Sequence, residues 1–215
     1  MRSYREAWRA PDAPWPWHRR AAKRAFDLCA ASVGLAAVGA PLVALGALVR
    51  ATSPGPALFA QERVGRGGRR FRIFKLRTMV DGAAARGPSV TAAGDPRVTP
   101  LGRLLRRTKL DELPQLWNVL RGDMSFVGPR PEVPRYVARY RPEDRAVLTV
   151  RPGITDPASI AFRDEESILA RQPDRERAYV EAVLPQKLAL NRAYIAHQSF
   201  AMDLMIIAKT LQIIF

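Results

Sequence analysis

Thr108-Lys109-Leu110-Asp111-Glu112-Leu113-Pro114-Gln115-Leu116-Trp117-Asn118 sets two adjacent carboxylates ahead of a proline, in a chain that is otherwise strongly cationic. Proline lacks an N–H and clashes with the carbonyl four residues back, so Pro114 belongs in a first helical turn. That register predicts a helix from near Leu110 to about Arg121, with Gly122 as its stop. Asp111 and Glu112 then lie at the positive end of the helix dipole, which favours ionised carboxylates. An ionised carboxylate held there can attack an electrophile or hold a divalent cation. The plainer reading is that the pair merely complements the dipole, and the flanking residues must decide between the two.

Upstream, Phe71 to Met79 reads as a strand. Phe71 and Ile73 share one face, then Phe74 and Leu76 share one, which predicts a bulge near Ile73–Phe74. Lys75 and Arg77 are two residues apart and are expected to project together. Such a cationic edge suits a diphosphate, although alternating charge on a solvated strand gives the same pattern. Asp81 to Pro96 is rich in Gly, Ala, Ser and Pro and reads as a loop, either a cover for substrate or a plain connection. From Val98 to Arg107 a short helix is expected, with Leu101, Leu104 and Leu105 on one side and Arg103, Arg106 and Arg107 around the other. Arg106 stands five residues before Asp111, across a turn, and can reach back towards the carboxylates. Downstream, Gly128-Pro129-Arg130-Pro131 is a rigid turn whose prolines present Arg130 from a pre-set backbone. Arg163-Asp164-Glu165-Glu166 reads as a solvated face. Tyr179 to Phe215 is helical in pattern, and its apolar end is too interrupted to span a bilayer but suits core or interface.

At 215 residues the chain has room for one compact domain and an attachment segment, with no internal repeat or second domain. Forty-seven per cent hydrophobic residues argues against wholesale disorder. The formal charge of +15 calls for an anionic partner: anionic lipid, a phosphorylated substrate or nucleic acid. Homeodomain, zinc-finger and RNP patterns are all missing from the sequence, so nucleic acid is set aside. Cys29 is the only cysteine, which suits a reducing cytosolic face. His18 and His197 lie far apart, so no zinc site is legible; any metal would be a hard cation such as magnesium. From Ala25 to Val49 the chain is almost wholly apolar, with Asp27 its only charge, and is long enough to cross a bilayer. Both flanks are strongly basic, whereas positive charge stays cytosolic, so a straight span would strand one cluster outside. Pro41, preceded by Gly39 and Ala40, favours a helix that enters the membrane, bends at Ala40–Pro41 and leaves by the same face. A kinked spanning anchor is the alternative; a cleaved signal peptide fits poorly, because the apolar run is long and Arg50 follows it directly. Residues 1–22 mix Trp8, Trp15 and Trp17 with arginines, as an interfacial segment or a disordered tail.

Arg121-Gly122-Asp123-Met124-Ser125-Phe126-Val127-Gly128-Pro129-Arg130-Pro131-Glu132, taken with the opening stretch, closely resembles the bacterial sugar transferase family, the small monotopic polyprenyl-phosphate phosphoglycosyl transferases. Gln61-Glu62-Arg63-Val64-Gly65, Phe74-Lys75-Leu76-Arg77-Thr78-Met79 and Val150-Arg151-Pro152-Gly153-Ile154-Thr155 carry the likeness on, in order, from about Lys23 to the C-terminus. The chain departs from it at Asp156-Pro157-Ala158-Ser159, where many relatives have Gly-Trp-Ala-Gln. The resemblance implies a mixed α/β, helix-rich catalytic domain with short strands over residues 53–215, anchored by a re-entrant helix over 23–52 and facing the cytosol at the inner membrane. It implies transfer of a phosphosugar from a UDP-sugar to polyprenyl (undecaprenyl) phosphate with release of UMP, at the start of polysaccharide assembly. Asp111 would be the nucleophile and, with Glu112, would hold Mg2+; Arg106, Lys75 and Arg77 would stabilise phosphoryl charge. Pro129, Arg130 and Pro131 would contact the nucleotide. A membrane-bound nucleotide-sugar hydrolase and a non-catalytic basic adaptor are the rival readings. Sugar identity, pathway and oligomeric state are not legible.

Overall fold

The computed structural model describes residues 17–87 and 90–214. The interfacial or disordered tail expected over residues 1–22 lies outside them up to residue 16. A single helix, α1 (Trp17–Thr52), carries the apolar segment for 36 residues with Pro41 inside it. The backbone stays helical through Ala40 and Pro41, the place where the bend is expected. One missing N–H removes a single hydrogen bond, which the turns on either side withstand in an apolar setting.

Helix α1 is tied along its length to one globular body. Ala31 is fully buried and, with Leu35 and Val38, packs on Ile73, Leu116, Val119 and Met124. Beyond Pro41, Leu42, Leu45 and Val49 pack on Leu76 and Leu105. The lone acid, Asp27, is buried and accepts hydrogen bonds from the Ser125 hydroxyl (3.1 Å) and the Phe126 N–H (3.2 Å). Lys23 donates to Val127 O at 2.8 Å and pairs with Asp203, and Arg24 donates to Val119 O (2.7 Å) and Leu120 O (3.0 Å). Lys23, Arg24 and Asp27 therefore clasp α1 onto the domain. The opposite side of α1 leaves Leu28, Val33, Val43 and Leu48 exposed.

Strands β1 (Leu58–Val64) and β2 (Arg70–Leu76) form an antiparallel hairpin in unbroken register from Leu58↔Leu76 to Val64↔Arg70. The expected bulge at Ile73–Phe74 is thus corrected. Both faces of β2 are covered, Ile73 meeting the α1 cluster and Leu76 the Val49–Leu105 cluster, so apolar residues of either parity find a core without a slip. Helix α2 (Pro100–Arg107) is capped by Thr99, whose hydroxyl accepts from the Gly102 N–H at 2.9 Å. It buries Leu105 but leaves Leu104 exposed, against the expected apolar face.

A 3-10 turn over Leu110–Glu112 then leads to α3 (Gln115–Arg121), which Gly122 ends at φ 85°. The α-helix therefore starts after Pro114, and the acidic pair precedes it. Two short strands, β3 (Ser125–Val127) and β4 (Gly153–Thr155), run parallel. Gly128 and Gly153 let their backbones nearly touch: a Cβ on Gly128 would lie 2.4 Å from Arg151 O, and one on Gly153 would lie 2.2 Å from Gly128 N.

Helices α4 (Pro157–Ala161), α5 (Glu165–Ala170), α6 (Leu184–His197) and α7 (Phe200–Ile214) follow, with further helical turns at Pro134–Val137, Pro142–Thr149 and Arg175–Ala178. Leu169 of α5 and Leu184 and Leu188 of α6 join Val133, Tyr136, Tyr140 and Tyr179 in a second core, while Ile206 of α7 packs with Val127 and Tyr194. Helix α7 buries Asp203 and Ile206 and leaves Phe200, Leu204, Met205 and Leu211 exposed, so it serves both core and surface.

Candidate active site

Asp111 and Glu112 are neighbours with opposite circumstances. Asp111 is 6% exposed, and its Oδ1 has no hydrogen-bond partner among the described residues. Burial, and then the charge of Glu112, push its carboxyl up to about 6. Glu112 takes both its oxygens to cations. Lys75 Nζ donates to Oε1 at 2.9 Å, while Arg130 donates to Oε2 at 3.2 Å and to Oε1 at 2.5 Å. Burial alone would raise the Glu112 carboxyl, but Arg130 and Lys75 outweigh it and hold it well below the usual range. Adjacent carboxylates are thus pushed apart, one firmly ionised and paired, the other unpaired and titrating near neutrality.

Three local devices hold this arrangement. Asn118 of α3 donates to Arg72 O (2.7 Å) and accepts from the Phe74 N–H (3.1 Å), locking the acidic turn's helix to the strand that carries Lys75. The Pro129–Pro131 turn is gripped by the other strand: Arg63 donates to Pro131 O (3.0 Å), and the Val64 N–H to Glu132 O (3.0 Å). Behind it Glu132 accepts from the Tyr179 hydroxyl. Asp156 accepts from the Arg130 N–H at 3.0 Å.

Of the residues singled out from sequence, the structure brings together Asp111, Glu112, Lys75 and Arg130, with Pro129 and Pro131 framing the last. Arg77 falls elsewhere. Strand β2 ends at Leu76, and the Arg77 guanidinium turns to Ser53 O (2.6 Å) and Pro54 O, clasping the end of α1. It is buried there, so its expected place beside Lys75 is corrected. Arg106 donates to Thr78 Oγ1 (2.9 Å) and Glu166 Oε1 (2.9 Å) rather than to the acidic pair, although its charge still lowers the Asp111 carboxyl. Glu166, read from sequence as part of a solvated face, is half exposed and anchors Arg106 from there.

Sequence reasoning missed Asn118, Glu166, Asn191 and the role of Asp156, which drew notice only as a departure. It also missed Gln115, fully buried one helical turn beyond Asp111, whose side-chain N and O both lack partners among the described residues. Asp111 and Gln115 thus each leave buried polar atoms for a water, an ion or a ligand to satisfy.

Among the described residues no three His, Cys, Asp or Glu side chains converge on a point. Glu112, expected as a metal ligand, has both oxygens on cations. The unpaired Asp111 oxygen fits a magnesium ion whose other ligands come from a diphosphate and water, the habit of that cation.

The sequence model of the bacterial sugar transferase family matches residues 18–215. The UDP-glucose:undecaprenyl-phosphate glucose-1-phosphate transferase of Caulobacter vibrioides is 42% identical, covering 87% of this chain and 67% of its own length. The UDP-N-acetylgalactosamine-undecaprenyl-phosphate N-acetylgalactosaminephosphotransferase of Aeromonas hydrophila is 35% identical, covering 89% of this chain. The chain spans only 43% of that relative. The exopolysaccharide production protein ExoY of Rhizobium meliloti is 32% identical over 88% of this chain and 84% of its own length.

Proposed function

The chain belongs to the bacterial sugar transferase family, and from that premise we propose that it transfers a phosphosugar from a UDP-sugar to undecaprenyl phosphate and releases UMP. The observation that carries the reading is the buried Asp111 carboxylate, unpaired beside a Glu112 already neutralised by Lys75 and Arg130. A carboxylate left without donors in a dry site keeps its lone pairs for an electrophile.

In this reading an Asp111 oxygen attacks the β-phosphorus, the phosphorus that bears the sugar. The bond from that phosphorus to the bridging oxygen breaks, and UMP departs with the bonding electrons. An oxygen of undecaprenyl phosphate then attacks the same phosphorus and frees Asp111, leaving the sugar on a lipid diphosphate. Two displacements replace one difficult transfer. Lys75 presents positive charge to the phosphoryl oxygens, with Arg106 contributing at longer range, and Glu112 keeps Lys75 and Arg130 in place. Arg130, with Pro129 and Pro131, binds the nucleotide half of the donor. Magnesium, held by Asp111 together with the donor, would neutralise the diphosphate.

The site works at the membrane, where the acceptor's phosphate lies. Both halves of α1 pack on the same domain, on either side of Pro41. A straight transbilayer helix would carry one half away from that domain, so the packing supports a shallow or re-entrant anchor with both ends on the cytosolic face. The exposed apolar residues of α1 then meet lipid acyl chains.

UMP release from a panel of UDP-sugars, with and without undecaprenyl phosphate in detergent, tests the reading. Multiple turnovers should require the lipid phosphate and at least one donor. Sustained release without lipid would make the protein a hydrolase. No release from any of the UDP-sugars, with or without lipid, in protein that folds and binds membranes, would leave the basic adaptor.

A further inference from the structure

Asp156 is fully buried and carries three hydrogen bonds. Its Oδ1 accepts from the Ser159 N–H at 2.6 Å, which caps helix α4. Its Oδ2 accepts from Asn191 Nδ2 at 2.7 Å and from the Arg130 N–H at 3.0 Å. Capping needs one oxygen, and serine would supply it as well. The second oxygen is what calls for explanation, because a buried carboxylate is costly to desolvate. Arg130 stands between two prolines, so its N–H is the one backbone donor of the Pro129–Pro131 run. Asp156 holds that donor, while the Arg130 side chain leads on to Glu112 and to Ile154 O. Asn191 reaches in from α6 and fixes the carboxylate from behind. We propose that Asp156, backed by Asn191, is a positioning residue: it sets the backbone from which Arg130 meets the donor. It acts through Arg130 and does not itself touch substrate.

The inference rests on the reading of Arg130 as a donor-binding residue, and the test separates the two. Asp156→Ala and Asp156→Ser are compared in the full-length protein; serine keeps the cap but is too short to hold the Arg130 N–H. Both should raise donor KM about tenfold and change kcat less than about threefold, the loss expected for one buried hydrogen bond to a charged group. In an Arg130→Ala background, Asp156→Ser should add less than about twofold, because the two residues act as one unit. A serine variant with native donor KM would mean that only the cap matters, and independent, multiplying effects would also overturn the proposal. Amide hydrogen exchange at Arg130 supplies a readout that needs no activity. Asp156→Ser should speed it about tenfold or more, and unchanged exchange would refute the positioning role. Faster exchange, with donor KM untouched by Arg130→Ala, would keep the positioning role and instead refute donor binding by Arg130.

Discussion

Asp111 is an ionisable side chain whose surroundings make its charge expensive. Its carboxyl titrates at about 6, against an ordinary 3.8, because it is buried and sits beside Glu112. The sign follows from linkage. A carboxyl raised in the folded state costs stability above about pH 6, and the cost disappears as pH falls below its unfolded value. Asp111→Asn should therefore stabilise the protein at pH 8 by up to about 3 kcal/mol while abolishing transfer, and the gain should shrink towards pH 4. Melting curves across that range check it; an asparagine variant less stable at pH 8 would contradict the burial. Activity carries the same signature. The kcat/KM for donor should fall tenfold per pH unit below about 6, as Asp111 protonates. Arg106→Ala should lower kcat and also move that acid limb to higher pH, since the Arg106 charge depresses the Asp111 carboxyl. At this scale the acidic pair was legible, because an Asp-Glu-Leu-Pro run in a basic chain is conspicuous. Its division of labour was not. Arg130 meets Glu112 only through a turn gripped by Arg63 of another strand, and no local pattern records such a contact.

The elements follow local rules wherever one rule acts alone. Gly122 stops α3 and Thr99 caps α2, both as sequence chemistry demands. The reading failed where tertiary packing intervened. Strand β2 has a core on both faces, so its apolar residues did not need the bulge that alternation implied. Arg77 lies one residue past the end of that strand, where parity no longer sets its direction. Helix α2 exposes Leu104, which strict amphipathicity would bury. The β3–β4 pair depends on glycine most directly. A methyl on Gly128 meets the backbone at Arg151 and Pro152, neither of which can swing aside. Gly128→Ala should destabilise the protein on the order of 3 kcal/mol, as overpacking does. Because it also displaces Pro129 and Arg130, donor affinity should fall with it. A denaturant midpoint equal to wild type would show that the strands can part at no cost.

The molecule as a whole is a basic domain clasped along an apolar helix. Composition, the apolar segment and the flanking arginines made membrane association legible. The clasps were not, since Asp27–Ser125 and Lys23–Asp203 join residues about 100 and 180 positions apart. If both ends of α1 lie on the cytosolic face, single cysteines at Ala21 and Arg66, in a Cys29→Ser background, should both be shielded from an impermeant thiol reagent in intact cells. Labelling of either from outside would establish a spanning topology. Pro41→Leu restores a helical hydrogen bond and should shift part of the population towards that topology. The central claim is that Asp111 carries the phosphosugar between donor and lipid, and trapping that intermediate tests it most directly. Protein incubated with a UDP-sugar labelled at the β-phosphate, without acceptor, should take up label at Asp111, release it to hydroxylamine and hand it to undecaprenyl phosphate when that is added. No label on active wild-type protein, or undiminished transfer by Asp111→Asn, would contradict the account.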